Sequence, residues 1–341
     1  MKSDKLRKLK VLQKMTRSYL GYKIGKPVPF VCAYYVDTAC NLNCPYCPKN
    51  GDFKEKVDRF ERKERVMSTS EAKKAIDRIS SLGVSVFTFS GGEPLLRKDI
   101  FELSRFAKSR GMTTILYTNG TKIENDRSFK DAFDSVTISF PELKAKKLRT
   151  EEEIDKIKRG IRILKEANVK VGISLVISKI TINDLEDITR WANDNVDFIL
   201  YIPVHYAPAF IPDKKDVCGL EERLIKLKRE YPFLITNSDK YIRLFCKYLR
   251  DEEIKRECSA FDLYLSLSPS GNLQGCSFPI SFGNILEEDI GKIIDRAKKS
   301  DLLEEGCPGG VLEGCGQLPL LFKGSLFEII SGLKITKILM K

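Results

Sequence analysis

Apolar and polar positions along this chain follow two patterns that alternate with each other. Short, almost continuous apolar runs are typical of strands covered on both faces of a sheet. They stand at 31–37, 84–90, 113–118, 135–140, 169–178 and 198–204. Segments with apolar residues at helical spacing stand at 68–83, 97–110, 122–132, 150–166 and 183–195. Strands that alternate with helices predict a parallel sheet, so the expected fold class is α/β. Periodicity alone leaves open whether the sheet is flat or curls into a partial barrel.

Two of the predicted helices carry a start signal. Ser68 stands three residues before Glu71, and Thr150 stands three residues before Glu153. In such a capping box each side chain accepts a hydrogen bond from the other residue's backbone N–H. Both segments are therefore expected to be helical from the next residue on.

The alternation of strands and helices stops near residue 235, which indicates a second unit. Residues 261–279 instead predict an antiparallel hairpin whose turn is the Pro-Ser-Gly-Asn stretch at 269–272. We therefore predict four parts of the chain. They are a basic N-terminal helix (1–29), an α/β domain (30–235), a small α+β domain (236–319) and a basic amphipathic C-terminal helix (320–341).

The composition is that of an ordinary globular chain, with 341 residues of which 42% are hydrophobic and 31% charged. No apolar run is as long as a membrane span, and the first residues carry charge without the apolar segment of a secretory signal. These observations favour a cytoplasmic protein. Contact with the surface of the membrane is a further expectation, which rests on the charges of the chain.

The net charge of +12 is concentrated at the two ends of the chain. Residues 1–30 hold nine Lys or Arg side chains and one acid, and residues 319–341 hold four lysines and one acid. The body between them is almost neutral. An evenly basic chain would favour nucleic acid, whereas basic ends favour docking on an anionic surface. No nucleic acid partner is expected.

Both basic ends also carry an apolar stripe at helical spacing. The stripes consist of Leu9, Leu12, Met15 and Tyr19 in the first end, and of Leu326, Ile329, Ile330, Leu333 and Leu339 in the second. Helices of this kind can lie in the interface of an anionic membrane. The alternative is that they pack on the body of the protein with their lysines in solvent.

Three of the ten cysteines, Cys40, Cys44 and Cys47, form a C-x3-C-x2-C motif directly after the first predicted strand. The single histidine, His205, excludes a multi-histidine zinc site, and clustered cysteines in a cytoplasmic chain favour metal or redox chemistry. An iron–sulfur cubane usually takes four cysteines, so three would leave one iron open to another ligand. A structural zinc knuckle is the alternative.

Two further motifs follow the next strands. Ser-Gly-Gly-Glu-Pro at 90–94 follows the second strand, and Thr-Asn-Gly at 118–120 follows the third. Parallel α/β folds bind ligands at the carboxyl ends of their strands, where all three motifs are expected to meet. Gly91 and Gly92 would let a ligand approach the backbone, and Glu93 would pair with a cationic group.

Together these motifs resemble those of the radical S-adenosylmethionine (SAM) superfamily. The C-x3-C-x2-C motif with Tyr46 before its last cysteine is that family's signature, and Gly-Gly-Glu-Pro is its second motif. The resemblance covers about residues 30–205. It implies a partial (β/α)6 TIM-like barrel whose [4Fe–4S] cluster chelates SAM through a unique iron. It further implies reductive cleavage of SAM to a 5′-deoxyadenosyl radical, with a reductase, ferredoxin or flavodoxin as electron donor.

The resemblance also implies roles for single residues. The implied ligands of the cluster are Cys40, Cys44 and Cys47. The implied contacts to SAM are Gly91, Gly92 and Glu93 for its amino group, Tyr46 for its adenine, and Asn119 and Ser139 for its other polar groups. Many relatives continue the fourth strand as Ser-Leu-Asp-Gly, whereas this chain has Ser-Phe-Pro-Glu at 139–142, so the resemblance ends at Ser139. His205 is expected near the barrel mouth, as a structural histidine or a substrate contact.

Four cysteines of the second unit indicate a further metal centre: Cys258, Cys276, Cys307 and Cys315. They resemble, with fewer cysteines than the family's signature of seven, the C-terminal extension of radical SAM enzymes called SPASM or, when shortened, twitch. That resemblance implies an auxiliary [4Fe–4S] cluster, and a zinc site or buried free cysteines are the alternatives. The isolated Cys32, Cys218 and Cys246 are expected to be buried as small hydrophobic residues.

The expected function is abstraction of hydrogen from a C–H bond of a hydrophobic substrate, with a membrane lipid as the leading example. The short basic N-terminal helix resembles that of radical SAM enzymes that act on isoprenoid membrane lipids. A SPASM peptide maturase or dehydrogenase is the main alternative, although about 30 residues precede the first strand, fewer than an added peptide-binding domain needs. The cyclase of molybdenum cofactor synthesis is another, although the chain lacks that family's Gly-Gly tail. A non-catalytic iron–sulfur binding or regulatory module is the alternative of another class.

Overall fold

The computed structural model describes residues 2–47, 65–124, 128–144, 148–204, 207–254, 258–274 and 280–300. Its strands are β1 (Val31–Tyr35), β2 (Val86–Ser90), β3 (Thr113–Thr118), β4 (Ser135–Ser139), β5 (Lys170–Ile177), β6 (Phe198–Pro203), β7 (Tyr264–Leu267), β8 (Asn272–Gln274) and β9 (Ser281–Asn284). Its α-helices are α1 (Lys2–Lys23), α2 (Thr69–Ser81), α3 (Ile100–Ser109), α4 (Ser128–Ala132), α5 (Glu151–Glu166), α6 (Leu185–Asn195), α7 (Lys214–Val217), α8 (Leu220–Glu230), α9 (Asp239–Leu249) and α10 (Ile290–Lys298). Every strand and helix expected before residue 205 is present.

The strands of the described residues form one sheet in the order β6-β5-β4-β3-β2-β1-β7-β8-β9. Neighbours from β6 to β1 are parallel and follow one another in chain order, so each crossover moves the chain one strand in the same direction. This winding is that of a (β/α) barrel. Within the described sheet β6 and β9 form separate edges, so the barrel is open. The prediction of an α/β fold is confirmed, in the form of a partial (β/α)6 TIM-like barrel.

Two of the helices between the strands, α2 and α5, begin where the sequence signals predicted, and each buries one stripe. Ser68 and Glu71 form the expected capping box at the start of α2, and Thr150 and Glu153 form the one at the start of α5. Helix α2 then buries Ala72, Ala75, Ile76 and Ile79. These side chains join Phe87 of β2 in the main hydrophobic core, which lies between the sheet and its outer helices.

Helix α1 closes the end of the barrel at which the strands begin. Its residues take part in a second buried cluster, which consists of Val11, Met15, Phe30, Ala33, Val86, Leu263 and Tyr264. Lys14 Nζ donates hydrogen bonds to Val84 O (3.1 Å) and Gly111 O (3.5 Å), the carbonyls shortly before β2 and β3. The helix is therefore anchored at the opposite end of the strands from the cysteine loop.

Part of the predicted membrane-facing stripe of α1 is thus used inside the protein. Met15 is only 4% exposed and Tyr19 packs against the same cluster, whereas Leu9 is 52% exposed. The side chain of Leu12 and the predicted helix at 320–341 lie outside the described residues. Among the helices that the structure describes, none combines the length and the hydropathy needed to cross a membrane.

The hairpin predicted at 261–279 is present as β7 and β8, which pair antiparallel. Ser268 N–H donates to Asn272 O (2.9 Å), and Gly271 adopts a positive φ of 94° in the turn, which favours glycine. The hairpin is not separate from the barrel sheet, because β7 also pairs in parallel with β1. The predicted division into domains at residue 235 stays a prediction.

Candidate cofactor site

The cysteine loop leaves β1 at the carboxyl edge of the sheet. Ala39 N–H donates to Asp37 Oδ1 (3.0 Å), which turns the chain ahead of Cys40. Cys47 N–H donates to Cys44 O (3.1 Å), which closes a second turn. All three cysteines are partly exposed. The loop therefore presents three thiols at the edge where parallel α/β folds bind their ligands.

The Gly-Gly-Glu segment after β2 lies directly against the cysteine loop. Gly92 N–H donates to Asp37 O and Glu93 N–H donates to Ala39 O, each at 2.8 Å. A Cβ atom on Gly91 would lie 2.4 Å from Asp37 O, and one on Gly92 would lie 2.0 Å from Ala39 O. We expected these glycines to make room for a ligand. In the structure they make room for the backbone of the cysteine loop.

Glu93 ties this segment to the end of β3. Its carboxylate is fully buried and accepts hydrogen bonds from Leu95 N–H (2.9 Å), Thr118 Oγ1 (2.8 Å) and Asn119 N–H (2.7 Å). Burial raises the pKa of Glu93, and the three hydrogen bonds oppose that rise. An ionised carboxylate has about four acceptor positions, so one is left for a donor other than these three.

Asn119 joins the end of β3 to the cysteine loop. Its Nδ2 donates to Asn41 Oδ1 (2.9 Å) and lies 3.9 Å from Cys40 Sγ. Its Oδ1 accepts from the backbone N–H (2.9 Å) and the hydroxyl (2.7 Å) of Thr121. The side chain therefore shapes its own turn and holds Cys40 beside β3 at the same time.

Arg149, which the sequence did not single out, contacts the cysteine loop from the segment before α5. Its Nη1 donates to Cys44 Sγ (3.1 Å) and to Leu148 O (2.7 Å). The carboxylate of Glu142, almost fully buried, accepts from the backbone N–H groups of Leu148 (2.9 Å) and Arg149 (2.7 Å) and so fixes this segment. Burial lowers the pKa of Arg149, whereas Cys44 and Tyr46 raise it, and the net effect is a raised pKa. The only sequence signal nearby was the capping box that begins at Thr150.

Tyr46 and Ser139 lie at the same edge. The Tyr46 ring packs edge-on against Phe210, with 6.2 Å between the ring centres. Its buried Oη has no hydrogen-bond partner among the described residues, and burial raises the pKa of this hydroxyl. Ser139 ends β4 partly exposed, in register with Ser174 of β5. Both predicted residues therefore belong to segments at the carboxyl edge of the sheet.

The family model described as the radical SAM superfamily matches residues 34–192, which include the cysteine loop, the Gly-Gly-Glu segment, Asn119 and Arg149. An AdoMet-dependent heme synthase of Methanosarcina barkeri is 30% identical over 300 residues, covering 79% of this chain and 83% of that protein. The chain belongs to the radical SAM superfamily. Radical SAM proteins bind a [4Fe–4S] cluster and SAM, and this chain does so as a member of the family.

Two further comparisons give one more relative in sequence and one likeness in fold. An Fe-coproporphyrin III synthase of Methanosarcina barkeri is 32% identical over 192 residues, and the match spans only 45% of that protein. The structure of anSMEcpe with bound AdoMet and a Cp18Cys peptide superposes with a TM-score of 0.60 over 84% of this chain and 88% of that one. At 17% identity this likeness shows the fold alone. Both curated relatives are named as synthases, which indicates that this chain is an enzyme.

The residues around the loop fit a radical SAM cluster. Two buried polar atoms beside the loop, Tyr46 Oη and Arg149 Nε, have no partner among the described residues, as expected where a further group completes the site. Among those residues no three Cys, His, Asp or Glu side chains converge on one metal ion. A cubane does not require such convergence, because each thiolate binds a different iron.

The remaining cysteines differ in their surroundings. Cys258 is exposed, whereas Cys276, Cys307 and Cys315, like His205, lie outside the described residues. Cys32 and Cys246 are buried as predicted, and burial raises the pKa of both thiols, that of Cys246 to about 12. The prediction for Cys218 is wrong, because that residue is exposed after the short helix α7.

Proposed function

We propose that this chain reductively cleaves SAM and abstracts a hydrogen atom from a C–H bond of a hydrophobic substrate. The observation that carries the proposal is the cysteine loop, which offers three thiols and is held by the ends of β2 and β3 and by Arg149. When bound there, the cluster and SAM would supply a 5′-deoxyadenosyl radical. Cys40, Cys44 and Cys47 would ligate three irons, which leaves the fourth for SAM.

The neighbouring residues would hold SAM in place. Glu93 has one acceptor position beyond its three hydrogen bonds, which suits an ammonium donor close to the Gly-Gly segment. Tyr46 offers an aromatic face for the adenine. Asn119 and Ser139 would reach the other polar groups of SAM from the ends of β3 and β4. These roles are assigned from the family's pattern. They are consistent with the position of these residues at the carboxyl edge of the sheet.

Release of 5′-deoxyadenosine tests the proposed chemistry. The anaerobically reconstituted protein, given dithionite and SAM, should release 5′-deoxyadenosine, and Cys40→Ala should abolish the release. Cys218→Ala is the matched control, because it removes an exposed thiol that is not part of the C-x3-C-x2-C motif. Equal release by parent and Cys40→Ala would contradict the assignment of the loop. Absence of release with a fully loaded cluster would favour the non-catalytic iron–sulfur module.

One observation supports a hydrophobic substrate, and a second supports contact with a membrane. The relative from Methanosarcina barkeri that matches over most of its length is named a heme synthase, and heme is a largely apolar macrocycle. In addition, Leu20 and Ile24 are 54% and 70% exposed at the end of α1, next to the exposed Lys23 and Lys26. An apolar and basic surface of this kind suits docking on an anionic membrane, and it lies on the helix that covers the opposite end of the barrel from the cysteine loop.

Flotation with liposomes tests the membrane part of this proposal. The full chain should float with anionic vesicles at low salt and less so at high salt, because each basic residue contributes about 1 kcal/mol that salt screens. Leu20→Ser combined with Ile24→Ser should weaken binding without disturbing the buried Met15. Phe233→Ser, at a residue 71% exposed between α8 and α9, is the control. If the full chain does not float at low salt, the membrane part of the proposal is wrong and a peptide substrate is favoured instead.

We also propose that Cys258, Cys276, Cys307 and Cys315 hold an auxiliary [4Fe–4S] cluster. Cys258 is exposed, which argues against the alternative of a buried free cysteine at this position. Reconstituted protein should contain about eight irons per chain, and replacing Cys258 and Cys276 by Ala should remove about half of them. About four irons together with zinc in the parent would instead assign these cysteines to a zinc site.

A further inference from the structure

We propose that Arg149 tunes the reduction potential of the cluster by donating a hydrogen bond to the Cys44 thiolate. The inference rests on the proposed ligation of the cluster by the cysteine loop. It concerns a residue that the sequence motifs do not include. Cys44 lies in the cysteine loop after β1, and Arg149 lies in the segment between β4 and α5. The contact therefore joins two distant parts of the barrel edge.

The contact has the geometry of a charge-assisted hydrogen bond. Arg149 Nη1 lies 3.1 Å from Cys44 Sγ, which is short for a bond between nitrogen and sulfur. The same nitrogen donates to Leu148 O at 2.7 Å, so its two N–H groups are fixed in direction. A planar guanidinium held in this way cannot swing into solvent without breaking both bonds.

The segment that carries Arg149 is itself held in place. Glu142 is 1% exposed and accepts the backbone N–H groups of Leu148 and Arg149. Lys158 Nζ, on α5, donates to Leu143 O (3.1 Å) and ties down the other side of the segment. Arg149 is only 7% exposed, and a buried guanidinium is costly unless an anion lies close to it. A cluster-bound thiolate would supply that anion.

The electrostatic consequence has a definite sign. One-electron reduction makes a cluster and its thiolates more negative, so a donor and a positive charge beside a ligand sulfur stabilise the reduced state more than the oxidised state. Hydrogen bonds to the sulfurs and local charge are among the factors that set cluster potentials. Removing Arg149 should therefore make the cluster harder to reduce, even before SAM is added.

The test measures the potential of the cluster without SAM. Parent, Arg149→Gln, Arg149→Lys and the control Lys158→Gln are reconstituted anaerobically, and their iron content is measured. The reduced fraction is then followed by electron paramagnetic resonance against mediators poised with dithionite. Lys158→Gln removes a cation that holds the same segment but does not touch a cysteine. Omitting SAM separates an effect on the cluster from an effect on SAM binding.

We expect the potential of Arg149→Gln to shift to lower values, that of Arg149→Lys to lie between, and that of Lys158→Gln to match the parent. An unchanged potential in Arg149→Gln with full iron content would overturn the inference. A parent chain that takes up no cluster when reconstituted would instead refute the proposed ligation. The two failures are therefore distinguishable.

A second measurement covers the case in which Arg149→Gln loses its cluster. Parent protein labelled with ¹⁵N in its arginines is reduced without SAM and examined by electron–nuclear double resonance. A ¹⁵N coupling to the cluster that is missing from unlabelled protein would support the hydrogen bond. Its absence from fully loaded parent protein would overturn the inference.

Discussion

Gly92 and Glu93 show how single residues build the edge of the barrel. Gly92 sits where a side chain would collide with Ala39 O, and Glu93 uses its buried carboxylate to join β2 to the end of β3. Neither contact involves a ligand. Both place the cysteine loop beside Asn119, so the arrangement of the site depends on residues that hold the backbone as well as on the thiols.

Gly92→Ala is therefore expected to disturb the cysteine loop itself. Its Cβ would lie 2.0 Å from Ala39 O, so the two loops must separate, and overpacking of this kind costs about 1–3 kcal/mol of unfolding free energy. The iron bound on reconstitution should fall as well. Gly25→Ala is the control: its φ of 71° makes alanine unfavourable by about 1–2 kcal/mol, but no atom lies within 4 Å of its Cβ. Normal iron content in Gly92→Ala would contradict the expectation.

At the scale of elements, two of the helices outside the sheet, α2 and α5, are defined at their first turn by capping boxes. In α2 the Glu71 carboxylate accepts from Ser68 N–H (2.8 Å) and pairs with Arg65 (2.8 Å). The edge of β6 is closed in another way: Asn237 accepts from Tyr201 N–H (2.8 Å) and donates to Tyr201 O (2.9 Å), as a neighbouring strand would. Side chains thus supply hydrogen bonds to backbone groups that the helix or the sheet leaves unpaired.

Glu71 should make the stability of α2 depend on pH in the acid range. The hydrogen bond from Arg65, followed by those from Ser68, lowers its pKa from 4.5 to about 2. Because the folded pKa lies below the unfolded one, the stabilisation is present above about pH 4.5 and is lost as the pH falls toward 2. In urea unfolding, parent and Glu71→Gln should therefore differ more at pH 6.5 than at pH 3.5. An equal difference at the two pH values would contradict this assignment.

At the scale of the whole molecule, α1 and the cysteine loop occupy opposite ends of one barrel. Helix α1 covers the amino ends of the strands through Val11 and Met15, and the thiols lie at the carboxyl ends. On the far side of β1, β7 extends the sheet in parallel, so residues after 260 support the strand that leads into the cysteine loop. The buried face of the N-terminal helix is therefore part of the barrel's core, independently of any contact that its exposed end makes.

Met15→Ala should accordingly destabilise the whole barrel. Loss of a buried methionine side chain costs about 2–5 kcal/mol of unfolding free energy, because a cavity remains under α1. Leu9→Ala on the same helix should change that free energy by no more than about 0.5 kcal/mol, because Leu9 is 52% exposed. Urea unfolding followed by circular dichroism would measure both. Similar small effects of the two substitutions would show that α1 does not stabilise the barrel.

The amino-acid sequence by itself determined the alternation of β1 to β6 with their helices. Strands buried on both faces need continuous apolar runs, and helices with one buried stripe need apolar residues at helical spacing. Both patterns involve residues that are close together in the sequence, so they can be recognised without a structure. The capping boxes at Ser68 and Thr150 are local in the same sense. The three thiols lie within eight residues, so their motif too was visible without a structure.

Only the tertiary structure decided which distant residues surround those thiols. The parallel pairing of β7 with β1, the donation from Arg149 to Cys44 and the close approach of Gly92 to Ala39 join segments far apart in the chain. Such contacts leave no periodic pattern, since one arginine or one glycine can satisfy them. They arise because parallel strands bring their carboxyl ends to one edge, where buried polar groups must find partners among whichever loops meet there.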